Sequence, residues 1–262
     1  MKPNSQPVTL VTGAAGGIGR ATALELARTH AVIIIDRDQR ELEKTATLIV
    51  EAGGSPAAFV ADVTDLESMQ GAVKDGQSFL GPISATVACA GVEVQGSVLD
   101  LGLEEWNRSL AVNLTGTFVT AKATIESLIR TQGTFTAIAS DAGTNGAQGY
   151  SAYVAAKHGV VGLVRCLALD FGPVGVRSNV ICPGFVETPM AKRLFAESSD
   201  EEVQFYKSSV PLGRFAKPEE IAATVRHFME STYANGTVYA VDGGATAGYY
   251  VGSDQSHDVA SV

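Results

Sequence analysis

At 262 residues, 45% hydrophobic and 18% charged, the chain can bury a large core and is too apolar to remain disordered. A formal net charge of −9 excludes a general affinity for nucleic acid or anionic membranes, which need clustered Lys and Arg. Cys89, Cys166 and Cys182 form no C-x-x-C pair, which suits the reduced thiols of a cytoplasmic protein. His30, His158, His227 and His257 have no Cys or second His at ligand spacing, so no metal is expected. No signal-peptide pattern opens the chain, and its longest apolar runs are strand-sized, so no membrane span is expected.

In chain order, residues 8–11 read as a strand that runs at once into Thr12-Gly13-Ala14-Ala15-Gly16-Gly17-Ile18-Gly19 and a helix near 17–29. A glycine-rich turn between strand and helix makes an anion site, because glycine lets the backbone approach and free helix N–H groups point at a phosphate. A second strand at 32–35 ends on Asp36, about 20 residues on, where a carboxylate can accept both hydroxyls of a ribose. The same charge repels a 2′-phosphate by roughly 4 kcal/mol at about 4 Å and an effective dielectric near 20, before screening. Position 16 is glycine and offers no cation to offset it; the neighbouring Arg37 is the one residue that could. NAD is the cofactor this pattern favours.

A helix at 39–52, a strand at 57–60, a helix at 65–79 and a strand at 85–90 continue the alternation. The first four strands are nearly continuous apolar runs, as expected of a parallel sheet covered on both faces. A helix over 104–131 carries Asn113 among apolar neighbours, and the strand 134–139 ends at Ser140. The next helix, 152–171, begins with Tyr153-Val154-Ala155-Ala156-Lys157, which stacks a phenol and an ammonium one turn apart. A strand at 178–182 leads into Pro183-Gly184 and Thr188, and a long connection, 187–215, reads as a lid. Its Met190, Leu194, Phe195, Phe205 and Tyr206 could face a substrate or pack on one another. A helix at 218–231 and a strand at 238–241 close the alternation; residues 252–262 read as a polar tail. No linker divides the chain, so one domain over 1–262 is expected.

Over residues 6–245 the chain resembles the short-chain dehydrogenase/reductase family. The resemblance is carried by T-G-x-x-x-G-x-G at Thr12 to Gly19, Y-x-x-x-K at Tyr153 and Lys157, Ser140 thirteen residues before the tyrosine, Asn113, Asp62-Val63, Pro183-Gly184 with Thr188, and a late V-D-G-G at Val241. It implies a doubly wound α/β fold: a mostly parallel seven-stranded sheet with helices on both faces, Rossmann-like. It further implies Tyr153 as acid/base and Ser140 polarising the substrate oxygen. Lys157 would bind the nicotinamide ribose and depress the tyrosine pKa, and Asn113 would hold a relay water. The cofactor would contact Gly13, Ala15, Gly16, Gly17, Ile18, Gly19, Asp36 and Arg37, then Asp62, Val63, Ala90 and Gly91, and finally Tyr153, Lys157, Pro183, Gly184, Val186 and Thr188. One departure is Ala88-Cys89-Ala90-Gly91 where the family has N-N-A-G; Cys89 reads as a small buried residue, and altered stability or affinity is expected.

The expected reaction is hydride transfer between NAD(H) and a small secondary alcohol or ketone. The pocket would lie between Ser140, Tyr153, the stretch 92–97, the turn 143–150 and the lid. An NADP-dependent 3-oxoacyl thioester reductase is the alternative, and a non-catalytic dinucleotide-sensing protein the alternative of another class. The family implies a homo-oligomer, a tetramer, through 104–131 and 152–172, where Val160, Val164 and Leu167 suit an interface or packing on the sheet.

Overall fold

The computed structural model describes residues 6–196 and 198–250; the expected tail at 252–262 lies outside them. Seven parallel strands form one sheet in the order β3-β2-β1-β4-β5-β6-β7. They are β1 (Val8–Thr12), β2 (Ala31–Asp36), β3 (Ser55–Val60), β4 (Ile83–Ala88), β5 (Thr134–Ile138), β6 (Arg177–Pro183) and β7 (Val238–Val241). The order reverses between β1 and β4, which leaves a crevice at their carboxyl ends, the place where open α/β sheets bind ligands.

Period-two alternation divides the central strands between two cores. Leu10, Ile33 and Ile35 face one layer, covered by α3 (Leu66–Leu80), α5 (Gly116–Thr131) and α6 (Ser151–Phe171). Val11, Val32 and Ile34 face the other, covered by α1 (Gly17–Leu26), α2 (Gln39–Glu51) and α9 (Pro218–Glu230). Burying each such side chain contributes roughly 1.5–3 kcal/mol. Asp38 and Asp65 start α2 and α3 by accepting the Glu41, and the Glu67 and Ser68, main-chain N–H groups. α6 is long and apolar enough by length and composition to cross a bilayer. Here its Val160, Val164 and Leu167 are buried in the core beside the sheet, the second of the two readings open to them.

Three expectations are corrected. β3 is an edge strand, and only Ala57 of it is buried, so both-sided burial holds for β1, β2 and β4 but fails there. The helix expected over 104–131 is two helices, α4 (Leu103–Leu110) and α5, joined by a π-helical turn at Ala111–Thr115. The segment read as a strand to residue 90 leaves the sheet after Ala88. Within the lid, α7 (Pro189–Leu194) and α8 (Asp200–Ser208) were not anticipated; Thr188 and Ser199 begin them as caps.

Candidate active site

The crevice between β1 and β4 opens into a groove of about 530 Å3. Its floor is the glycine-rich turn. Gly13 has φ +67°, and a Cβ there would stand 2.7 Å from the Ala90 nitrogen, so the close approach of the two strand ends requires glycine. The groove is lined by Gly13, Ala15, Gly16, Gly17, Ile18 and Gly19, and at its far end by Asp36, Arg37, Asp62 and Val63. Ala90, Gly91 and Thr188 complete the sequence-predicted residues found there. Asp36 Oδ2 accepts from the Ala15 N–H (3.0 Å) and Oδ1 from the Asp38 N–H (3.1 Å). The Asp62 carboxylate is held below its ordinary range mainly by the Thr64 N–H.

Sequence reasoning missed Arg20, Glu41 and Arg193 on this groove. Arg20 donates to Glu41 Oε2 (3.0 Å) and Thr45 Oγ1 (2.9 Å), so this cation is committed to the protein. A basic residue following the last glycine is its one signal in the sequence.

The departure at Cys89 has a structural counterpart. Thr12 Oγ1 accepts from the Cys89 and Ala90 N–H groups at 3.2 and 3.4 Å, a tie between strand ends made from the β1 side. Burial pushes the Cys89 thiol up to about 12, which leaves it a poor nucleophile.

Through Ile18, Thr188 and Met190 the groove adjoins a cavity of about 230 Å3. Ser140, Tyr153, Pro183, Gly184 and Val186 line it. Ser140 follows β5 by two residues and caps the 3-10 turn Asp141–Gly143, and Tyr153 lies in the first turn of α6, so the connection between them brings both side chains to one cavity. The segment after β4 is fastened alongside: the Gly96 N–H donates to the Gly149 carbonyl at 2.7 Å, and Gln95 Nε2 to the Tyr150 hydroxyl at 2.9 Å. Of the lid residues, Met190 and Leu194 face the cavity, whereas Phe195 and Tyr206 pack with Phe185 and Phe215. Phe205 is exposed. Met190 and Leu194 are thus placed where a substrate could meet them, and Phe195 and Tyr206 are packing residues.

Glu93 and Asp141, not singled out in the sequence, also line this cavity. Ser140 Oγ donates to Asp141 Oδ1 at 2.7 Å. Burial pushes the carboxyls of both acids above their ordinary range.

Lys157 and Asn113 lie behind the cavity wall. Lys157 is 4% exposed, and its Nζ donates to the Ile138 carbonyl at 3.0 Å and stands 5.5 Å from the Tyr153 ring centre. Burial pushes the Lys157 ammonium down to about 8. Burial also pushes the Tyr153 phenol well above its ordinary value; the Ser140 hydroxyl opposes this, and Glu93, Asp141 and Tyr150 reinforce it.

The Asn113 amide donates to the Val92 carbonyl (2.9 Å) and the Ser109 carbonyl (3.0 Å), and its Oδ1 accepts from the Val92 N–H (3.1 Å). One amide donor pins the loop at Val92 and the other goes to Ser109 in α4, inside a π-turn of the kind often found at functional sites. A Cβ on Gly91 would lie 3.0 Å from Asn113 Oδ1 and 3.6 Å from Lys157 Nζ. Glycine keeps the space between those two atoms open.

A family model described as enoyl-(acyl carrier protein) reductase matches residues 13–246. The chain is 37% identical over 246 residues to 2-(S)-hydroxypropyl-CoM dehydrogenase 3 of Xanthobacter autotrophicus, covering 92% of this chain and 96% of that protein. It is 36% identical over 246 residues to cyclohexanol dehydrogenase of an Acinetobacter species, covering 92% and 94%. Among solved structures, an actinorhodin polyketide ketoreductase variant with NADPH superimposes with a TM-score of 0.89 at 31% identity, covering 94% and 99%. With the parallel seven-stranded sheet and the glycine-rich groove, these similarities show that the chain belongs to the short-chain dehydrogenase/reductase family of oxidoreductases.

Proposed function

We propose that this protein transfers a hydride between NAD(H) and a small secondary alcohol or ketone, with Tyr153 as acid/base. The observation that carries the reading is the cavity in which Ser140 and Tyr153 face the end of a dinucleotide-sized groove. A bound nicotinamide dinucleotide supplies or takes up the hydride. Tyr153 exchanges the proton with the substrate oxygen, and Ser140 holds that oxygen in place. Lys157, Asn113 and the space beside Gly91 suit a water-bridged route for the proton away from Tyr153.

The cofactor choice rests on the ribose end of the groove, where Asp36, Asp38 and Glu41 gather and Arg20 is already paired with Glu41. Arg37 on the same rim favours the second reading, an NADP-dependent ketone or thioester reductase like the relative solved with NADPH. The cyclohexanol dehydrogenase relative supports a compact neutral substrate for a 230 Å3 cavity. We also propose a homo-oligomer assembled through α4, α5 and α6, on which Leu103, Phe118 and Leu169 are exposed.

Titration with NADH and NADPH, followed by nucleotide fluorescence, tests the cofactor. Turnover of cyclohexanol and cyclohexanone by the parent and by Tyr153→Phe tests the chemistry. Tighter NADPH binding would turn the assignment to the second reading, and full turnover by the variant would remove Tyr153 from its role.

A further inference from the structure

Ser140 and Tyr153 share their cavity with two acids and, among the described residues, no Lys, Arg or His lines it. One acid is carried by the segment after β4, the other by the 3-10 turn Asp141–Gly143. Resting on the reading above, we propose that Glu93 and Asp141 set the substrate class of this pocket. It takes secondary alcohols and ketones bearing a hydrogen-bond donor beside the reacting carbon, and it refuses those bearing an anion there.

The geometry places the acids close to the reacting atoms. Ser140 Oγ gives its proton to Asp141 Oδ1, so a substrate hydroxyl donating to Ser140 Oγ would lie within two hydrogen bonds, about 5.5 Å, of the Asp141 carboxylate. Both protein hydrogen bonds to the Asp141 side chain, from Ser140 Oγ and the Ala142 N–H, fall on Oδ1, so Oδ2 is left for a ligand. Glu93 faces the same space beside the Tyr150 hydroxyl. Arg193, the guanidinium whose charge offsets Glu93, lines the dinucleotide groove instead of this cavity. Lys157 lies behind Tyr153, donates to the Ile138 carbonyl and does not line this cavity, and Asp242 adds a further negative charge felt at Asp141. A carboxylate, sulfonate or phosphate beside the carbinol would lose its water here and meet two carboxyl groups with no cation beside them among the described lining residues. A hydroxyl or ammonium would find a carboxylate at hydrogen-bonding distance.

Four probes of one scaffold test this: cyclohexanol, trans-1,2-cyclohexanediol, trans-2-aminocyclohexanol and 2-hydroxycyclohexanecarboxylate. Their affinities for the enzyme–NADH complex are read by ligand-observed NMR titration, and kcat/KM is read for those turned over. The diol or the amino alcohol should exceed cyclohexanol at least threefold, and the carboxylate should fall at least tenfold below it. A larger gain for the amino alcohol identifies charge as the attraction, and a larger gain for the diol identifies hydrogen bonding. In Glu93→Gln and in the Glu93→Gln/Asp141→Asn pair, each first shown to bind NADH, the carboxylate-to-cyclohexanol ratio should rise at least threefold. A carboxylate bound as well as cyclohexanol by the parent overturns the proposal, as does an unchanged ratio in both variants. If no probe is turned over with NAD or NADP, the proposed function fails for this scaffold, while the affinity series still decides the charge rule.

Discussion

Asp36 Oδ2 accepts a hydrogen bond from the Ala15 main-chain N–H at 3.0 Å, joining the end of β2 to the turn that follows β1. The carboxylate that would read a ribose is thereby fixed in place by the loop that would hold the phosphates. Asp36→Asn keeps an acceptor for Ala15 and removes the charge. The NADPH-to-NADH affinity ratio should then rise at least tenfold, equivalent to about 1.4 kcal/mol, as measured by nucleotide fluorescence. An unchanged ratio would show that Asp36 does not select the cofactor.

Tyr153→Phe removes one oxygen from the cavity and leaves the ring that packs edge-on against Tyr150. Steady-state kcat should drop by about 10²–10⁴, the usual worth of a positioned general acid, while NADH binding stays within about twofold. A matching loss of NADH affinity would point to a cofactor-binding role in place of proton transfer.

Gly13→Ala places a methyl 2.7 Å from the Ala90 nitrogen at a residue with φ +67°. Overpacking of this kind costs about 1–3 kcal/mol, and the phosphate floor would be displaced with it. Thermal unfolding should shift down by several degrees, and NADH binding should weaken at least tenfold. A variant binding NADH normally would place the phosphates elsewhere.

Asn113→Ala leaves the Val92 N–H and carbonyl without their partners. A fully buried group so orphaned costs about 1–3 kcal/mol; Val92 is half-buried, so a smaller but measurable fall in Tm is expected in thermal denaturation. A Tm within a degree of the parent would mean that water replaces the amide without loss.

The Asp141 carboxyl is raised from its ordinary range, first by burial. A folded state that holds a proton more tightly than the unfolded chain is favoured below the unfolded pKa and loses that advantage as pH rises through the folded pKa. Asp141 therefore costs stability at neutral pH. Asp141→Asn should raise Tm by a few degrees at pH 7–8, with the gain shrinking toward pH 4. A gain that grows as the solution is acidified would contradict the assignment.

The local devices were legible because each rests on neighbours in the chain. The first strand, the glycine turn, the helix after it and the acid closing β2 follow from short-range pattern, and so does the single face shared by Tyr153 and Lys157. The π-turn around Asn113 was not legible, since it depends on hydrogen bonds to Val92, 21 residues away. Nor was the commitment of Arg20 to Glu41, which requires the packing of α1 beside α2.

By itself the sequence determined the βα alternation and the phosphate turn, because periodicity and spacing encode them within one or two elements, and its motifs carried the family resemblance that names the candidate site residues. Tertiary structure alone decided which groups share a cavity and what burial does to their protons. Glu93 meets Ser140 and Tyr153 only because β4 and β5 are paired in the sheet and the segment after β4 is bolted to the start of α6. The upward push on the Tyr153 phenol likewise waits on folding, because desolvation is set by the whole packed surround.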